Sequence, residues 1–157
     1  MFQLYSVSLF DIKRLSSIAK IFFQCGKDMA NRYNLHHWDN SMIKSFAIAL
    51  YCALKNEVYI VTDLTDKVIA TFQIKKKDDY LFFEKLAVDP SFSNKGVGTF
   101  CLQTIERLSK DKGIKSIRMD VYDKSQHAID FYLHKGFIVV GKENTLKYTN
   151  LIMEKRI

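Results

Sequence analysis

The sequence lacks any apolar stretch long enough to cross a bilayer. The longest, from Phe46 to Leu54, ends well before the roughly 20 residues that a membrane helix needs. It also lacks the basic region, apolar run and cleavage site of a signal peptide, because Asp11, Lys13 and Arg14 follow the first strand-like stretch. We therefore expect no membrane partner, and the cytoplasm is the default location.

Cysteine is scarce, and repeats, linkers and low-complexity tracts are absent. Cys25, Cys52 and Cys101 are odd in number, widely spaced and set among apolar neighbours, which predicts reduced core thiols rather than a disulfide framework. With 157 residues, of which 48% are hydrophobic and 26% charged, the composition is typical of a globular protein. The sequence predicts a single domain over residues 1–157.

Positive charge is in excess, with 24 Lys and Arg against 17 Asp and Glu and a formal net charge of +7. Such an excess favours an anionic partner, and nucleic acid, an anionic membrane face or a phosphorylated cofactor would each satisfy it. The run from Lys75 to Lys77 suggests a basic nucleic-acid-binding module. That run lies in a predicted hairpin turn, however, where a solvated lysine cluster is the ordinary explanation.

The hydrophobic pattern predicts an α/β fold, with a mixed, mostly antiparallel sheet flanked by helices in the order β-α-α-β-β-β-α-β-α-β-β. Gly26 is expected to end the first helix, and residues 27–40 are expected to form a loop. Gly136 is expected to be a left-handed helix cap. The predicted strands are 2–7, 58–62, 68–75, 80–88, 117–121, 137–140 and 146–155, and the predicted helices are 12–25, 43–54, 97–108 and 128–133.

A glycine turn, Lys95-Gly96-Val97-Gly98, comes after the predicted strand 80–88 and leads directly into a helix. Glycine lets backbone N–H groups approach a ligand, and the unpaired N–H groups of a helix start attract anions. A tight connection that needs glycine for steric reasons is the alternative. A dinucleotide-binding turn would need a third glycine, and a P-loop would place its lysine after the glycines, whereas Lys95 precedes them.

The segment Leu86-Ala87-Val88-Asp89-Pro90 and the glycine turn after it resemble the acetyl-CoA motif of the GNAT superfamily of N-acetyltransferases. A second family element is matched by Ala128, Tyr132, Gly136 and Phe137. Two positions depart from the family pattern. Ser93 stands where Gln or Arg is usual, and Ser125 stands where Asn is usual.

The resemblance implies a GNAT-type fold that uses acetyl-CoA as cosubstrate and moves the acetyl group to a primary amine by direct attack in a ternary complex. In such a domain the backbone of residues 86–88 pairs with the pantetheine arm, and the Val88 N–H polarises the thioester carbonyl. The backbone of the glycine turn binds the pyrophosphate. The cofactor-binding residues so implied are Leu86, Ala87, Val88, Ser93, Asn94, Lys95, Gly96, Val97, Gly98, Thr99, Ser125 and Tyr132.

Two residues are catalytic candidates. The resemblance places Tyr132 at the family's general-acid position, where a phenol of ordinary pKa near 10 could protonate the departing sulfur. The alternative is a helix tyrosine packed on the core. Glu84 shares a predicted strand face with Leu86 and Val88 and could take the amine proton, although a solvated carboxylate beside Lys85 is an equal interpretation.

The loop between the first two helices carries His37 and Trp38, which the resemblance places at the border of the acceptor pocket. An aromatic wall suits an amine, but Trp38 could equally anchor the loop to the core. No metal is expected, because His127 and His134 lie about 10 Å apart along a helix.

The sequence leaves the identity of the amine acceptor open. Dimers are common among relatives, so a homodimer is open as well. A catalytically silent acyl-CoA-binding sensor is the alternative function, besides the nucleic-acid-binding module.

Overall fold

The computed structural model describes residues 1–157, and its elements follow the predicted order. The strands run in the order β1-β2-β3-β4-β5-β7-β6; β4 and β5 are parallel, whereas β1–β2, β2–β3, β5–β7 and β6–β7 are antiparallel. The predicted α/β class with a mixed, mostly antiparallel sheet is therefore confirmed. The strands are β1 Gln3–Val7, β2 Glu57–Thr62, β3 Val68–Lys76, β4 Leu81–Val88, β5 Ser116–Tyr122, β6 Ile138–Asn144 and β7 Thr149–Arg156, and the helices are α1 Ile12–Tyr33, α2 Met42–Lys55, α3 Val97–Asp111 and α4 Gln126–His134.

The chain forms two compact units. Unit 1 comprises Met1–Ile74 and Lys85–Thr104, and unit 2 comprises Lys75–Glu84 and Ile105–Ile157. None of the helices has the length and apolar character to span a membrane.

The core of unit 1 forms where α1 packs on α2 and on the first strands. Along α1, Leu15, Ile18, Ala19 and Phe22 recur at helical spacing and are buried. The helix begins at a capping residue, because the Asp11 carboxylate accepts a hydrogen bond of 3.0 Å from the backbone N–H of Arg14. Capping and the apolar stripe together explain why this segment is a helix that faces the sheet.

The end of α1 differs from the prediction. The helix continues through Gly26 to Tyr33 and ends at Asn34, whose φ of 54° makes it the left-handed cap. Gly26 serves a different purpose, since a Cβ there would lie 2.0 Å from the carbonyl oxygen of Trp38. The prediction of a loop over residues 27–40 is therefore wrong for 27–33, because this glycine permits a close backbone contact rather than a turn.

The core of unit 2 follows the predicted alternation. Ile117, Met119 and Val121 of β5 are buried, and the residues between them are half-buried. Gly136 has a φ of 87° directly after α4, as predicted. Phe83 and Phe137 pack edge to face, with ring centroids 6.0 Å apart.

The contact at Gly26 generates a stability prediction. Gly26→Ala should lower the free energy of unfolding by about 1 to 3 kcal/mol, because the new methyl group forces the Trp38 backbone away from α1. Urea denaturation followed by circular dichroism measures the change. Gly141→Ala is the matched control, since its Cβ would meet Ile152 at an ordinary 3.9 Å. Equal unfolding midpoints for Gly26→Ala and the wild type would contradict the explanation.

Candidate functional site

The candidate site of unit 1 begins where β4 ends. Asp89 is only 6% exposed, and its carboxylate accepts hydrogen bonds from the Ser91 N–H (2.9 Å) and hydroxyl (2.7 Å). It also pairs with the Lys67 ammonium at 3.1 Å. Burial alone would raise the pKa of Asp89, but the hydrogen bonds from Ser91 and Lys67 outweigh it and hold the pKa below its ordinary value. A carboxylate that is ionised at neutral pH thus fixes the start of the turn.

The glycine turn follows a single 3-10 turn, Pro90–Phe92. Asn94 and Gly96 are left-handed, with φ of 61° and 81°. A Cβ at Gly96 would meet no atom within 4 Å, so crowding does not explain this glycine and its positive φ does. A tight connection needs such a positive φ as well, so the conformation of Gly96 fits both interpretations of the turn.

The start of α3 presents backbone donors. The N–H of Phe100 donates to the Gly96 carbonyl at 3.0 Å, which is the first bond of the helix. The N–H groups of Val97, Gly98 and Thr99 precede that bond and have no acceptor within the helix. Residues 93–96 are exposed, and the Lys95 ammonium lies 5.0 Å from the ring centroid of Phe92. The geometry is that of an accessible helix start with positive charge beside it.

Strand β4 is irregular just before the turn. Lys85 has a φ of 50°, which is unusual for a side chain with a Cβ. The expectation that Glu84, Leu86 and Val88 share one face assumes a regular strand. All three are half-buried, whereas Phe83 and Ala87 are buried. Irregular backbone in a strand often lies beside a functional site.

A contact that the sequence did not reveal anchors the last residue of β4. The Cys25 thiol of α1 donates to the Val88 carbonyl at 3.1 Å. Burial, reinforced by the charges of Asp28 and Asp89, raises the pKa of Cys25 from 9.0 to about 12, so the group stays a protonated donor at neutral pH. All three cysteines are free, as predicted, but no sequence signal distinguishes Cys25 from the other two.

Trp38 and His37 are half-buried in the loop after α1. The Trp38 ring packs edge to face on Phe22, with centroids 5.9 Å apart, and Asn40 donates to the Trp38 carbonyl at 3.3 Å. These contacts support the interpretation of Trp38 as a loop anchor. The Lys85 ammonium lies 5.8 Å from the Trp38 ring centroid, so the ring also accepts a cation.

Unit 2 contains the other predicted residues, Glu84, Ser125 and Tyr132. Tyr132 is 7% exposed, and its ring packs on Phe83 and Phe137 at centroid distances of 6.1 and 5.6 Å. Ser125 is 2% exposed, precedes α4, and has a hydroxyl with no hydrogen-bond partner. A buried hydroxyl without a partner costs about 1 to 3 kcal/mol, so it suits a group that a ligand would satisfy.

Comparison with known proteins decides the family. The model of the acetyltransferase (GNAT) family matches residues 15–137, which is most of the chain. The chain belongs to the GNAT family of acetyltransferases. The resemblance seen in the sequence is thereby confirmed. No group of three or more His, Cys, Asp or Glu side chains in this acetyltransferase could hold a metal ion.

Solved structures share the fold of this acetyltransferase. It resembles the PaiA N-acetyltransferase of Thermoplasma acidophilum, crystallised with coenzyme A, with a TM-score of 0.77 and 18% identity over 100% of this chain and 99% of the other. It also resembles the ribosomal-protein-S18-alanine N-acetyltransferase of Escherichia coli, with a TM-score of 0.71 and 19% identity over 100% and 94% of the two chains. An uncharacterized Bacillus subtilis protein, YxbD, is 22% identical over 73% of this chain and 70% of its own length.

The buried Cys25 thiol generates a pH prediction. Because folding raises its pKa from 9.0 to about 12, the folded state holds the proton more tightly, so this stabilisation is complete below pH 9 and is lost as pH rises toward 12. Cys25→Ser removes the titration. The unfolding free energy of the wild type, measured relative to that of Cys25→Ser, should therefore fall above pH 9, by at most about 1.4 kcal/mol per pH unit.

Urea denaturation at a series of pH values measures this difference. Tyrosine and lysine titrations are common to both proteins and cancel in the comparison. A difference that stays constant through this pH range would contradict the assignment of a buried, protonated donor at Cys25.

Proposed function

We propose that this acetyltransferase moves an acetyl group from acetyl-CoA to a primary amine by direct attack in a ternary complex. The observation that carries the proposal is the exposed turn at Gly96, where unpaired N–H groups of α3 stand beside Lys95. Unpaired N–H groups at a helix start bind phosphate groups well, and a pyrophosphate is such a ligand. The PaiA relative was crystallised with coenzyme A, which carries this group.

Individual residues have features that suit that cosubstrate. In unit 1, Gly96 leaves open space where any other residue would place a side chain, as backbone binding of a phosphate requires. In unit 2, the Ser125 hydroxyl has no partner and could donate to a pantetheine amide. The backbone of Leu86, Ala87 and Val88 would pair with the pantetheine arm.

Transfer needs charge stabilisation on the thioester oxygen, and we assign this to the Val88 N–H. This N–H belongs to the peptide bond before Val88. The next peptide bond is held on both sides, because the Val88 carbonyl accepts from Cys25 (3.1 Å) and the Asp89 N–H donates to the Ile69 carbonyl (2.8 Å), which limits movement of the adjoining donor. A donor that does not reorganise during the reaction stabilises developing charge well. Tyr132 would protonate the departing sulfur, and Glu84 would receive the proton that the attacking amine loses.

A primary amine suits the environment of Trp38. The Lys85 ammonium lies 5.8 Å from the centroid of this ring, and a ring that attracts one ammonium group suits another. Trp38 and His37 would border the acceptor. One structural neighbour is named for the alanine of a ribosomal protein, but at 19% identity its acceptor does not carry over. We therefore propose a class of acceptor, the primary amines, rather than a compound.

Cosubstrate binding at the turn is testable with a matched glycine pair. Gly96→Val should abolish CoA binding, because valine at a φ of 81° distorts the turn and fills the space that the phosphate needs. Gly113→Val is the control, since Gly113 has a φ of 71° and equally open surroundings at the far end of α3. Calorimetric titration with CoA measures both variants. Wild-type affinity in Gly96→Val would refute binding at this turn.

The acid role is testable by removing one oxygen. Tyr132→Phe keeps the aromatic packing, so kcat should fall about 100-fold while KM for acetyl-CoA stays unchanged. Tyr51→Phe, at a 62% exposed tyrosine of α2, is the control. The measurement is free CoA released with a panel of primary amines. An unchanged kcat would remove Tyr132 from this role, and CoA binding without turnover on any amine would identify a silent sensor instead.

A further inference from the structure

Unit 1 contains a cavity whose lining includes no residue of the glycine turn. Its volume is about 530 Å³, within the range of small-molecule sites. One face of α1 forms one wall, and the facing ends of β2 and β3 form the other. Its polar lining includes Lys13, Ser17, Lys20, Gln24, Thr62 and Lys67.

The α1 wall is a polar stripe. Lys13, Ser17, Lys20 and Gln24 follow one another at four, three and four residues, so they lie on one face of the helix. The ammonium groups of Lys13 and Lys20 form no ion pair and no hydrogen bond. Two other basic side chains of the cavity are occupied, because Arg14 pairs with Asp11 (3.5 Å) and Lys67 pairs with Asp89 (3.1 Å). The stripe therefore supplies two uncommitted positive charges and an amide donor.

The opposite wall contains a buried hydroxyl without a partner. Thr62 lines the cavity, is 1% exposed, and its Oγ1 forms no hydrogen bond. The β2–β3 pairing shifts register between Val61 and Thr62, and such irregularities reorient the side chains next to them. A hydroxyl in this state carries a desolvation cost that a bound acceptor would remove.

The lining decides the class of ligand. It holds four basic residues against the carboxylates of Asp11, Asp66 and Asp89, and two of these carboxylates are already paired. Donors at Lys13, Lys20, Gln24 and Thr62 match a group with several acceptor oxygens. Ile21, Ile60 and Val68 complete the lining and would contact an apolar body.

We propose that this cavity of unit 1 binds a small organic anion whose phosphate or carboxylate group is held by Lys13, Lys20 and the Thr62 hydroxyl. The proposal does not depend on acetyl transfer. It concerns a site separate from the turn at Gly96, although Lys67 of the cavity and Lys95 of the turn lie over the same Phe92 ring, at 4.7 and 5.0 Å from its centroid. The experiment must therefore distinguish binding in the cavity from binding at the turn.

Titration of the full chain, labelled with ¹⁵N, with phenyl phosphate and with benzoate tests the proposal. Both probes carry an apolar ring, and they differ in the oxyanion, so the comparison distinguishes a phosphate ligand from a carboxylate ligand. We expect saturable shifts of the Ser17, Thr62 and Lys67 amide signals with at least one probe. Gly96→Val should retain these shifts, because its change lies in the turn.

Two variants test the residues. Lys13→Gln/Lys20→Gln should weaken probe binding at least about tenfold. Thr62→Val replaces the unpartnered hydroxyl by a methyl group of similar size, so it should weaken binding to the same extent and unfold at or above the wild-type temperature. Lys44→Gln/Lys142→Gln makes the same charge change at exposed lysines elsewhere and should leave binding unchanged. Shifts confined to residues 94–99, no saturable shift with either probe, or equal weakening by both double variants would overturn the proposal.

Discussion

The peptide bond between Val88 and Asp89 is the constraint on which the rest of unit 1 depends. Helix α1 holds its carbonyl through Cys25, strand β3 holds its N–H through Ile69, and the Asp89 carboxylate then organises Ser91 and Lys67. These bonds determine where β4 ends and where the glycine turn begins. Because the anchors come from elements far apart in the chain, the turn keeps its position only if the whole of unit 1 is folded.

Local signals were sufficient for most of the fold. Apolar spacing predicted every helix and strand in order, because the period of a strand or helix is expressed within a few residues. Gly136 was predicted as a left-handed cap because a glycine just after a helical pattern is also a local signal. Gly26 was misread because glycine serves two purposes, a positive φ and a close backbone approach. Only the position of Trp38, which comes from a later part of the chain, shows that the second applies.

The candidate site was predictable to a smaller extent. The turn at Gly96 is a local motif, so the sequence showed it. The positive φ at Lys85 was not predictable, since lysine has no preference for a positive φ and only tertiary contacts can impose one. The unpartnered hydroxyls of Ser125 and Thr62 were not predictable either. The sequence shows the hydroxyls, but whether a buried hydroxyl lacks a partner depends on what the fold places around it.

The two anion sites proposed for unit 1 use different chemistry, and this difference bears on how each tolerates substitution. At the turn the donors are backbone N–H groups, so the replacement of the family's usual Gln or Arg by Ser93 leaves the main donors in place. In the α1 cavity the donors are side chains, so specificity there depends on Lys13, Lys20 and Thr62 themselves. The net charge of +7 is therefore an incomplete guide to ligands, because the first site would persist with far fewer lysines and the second would not.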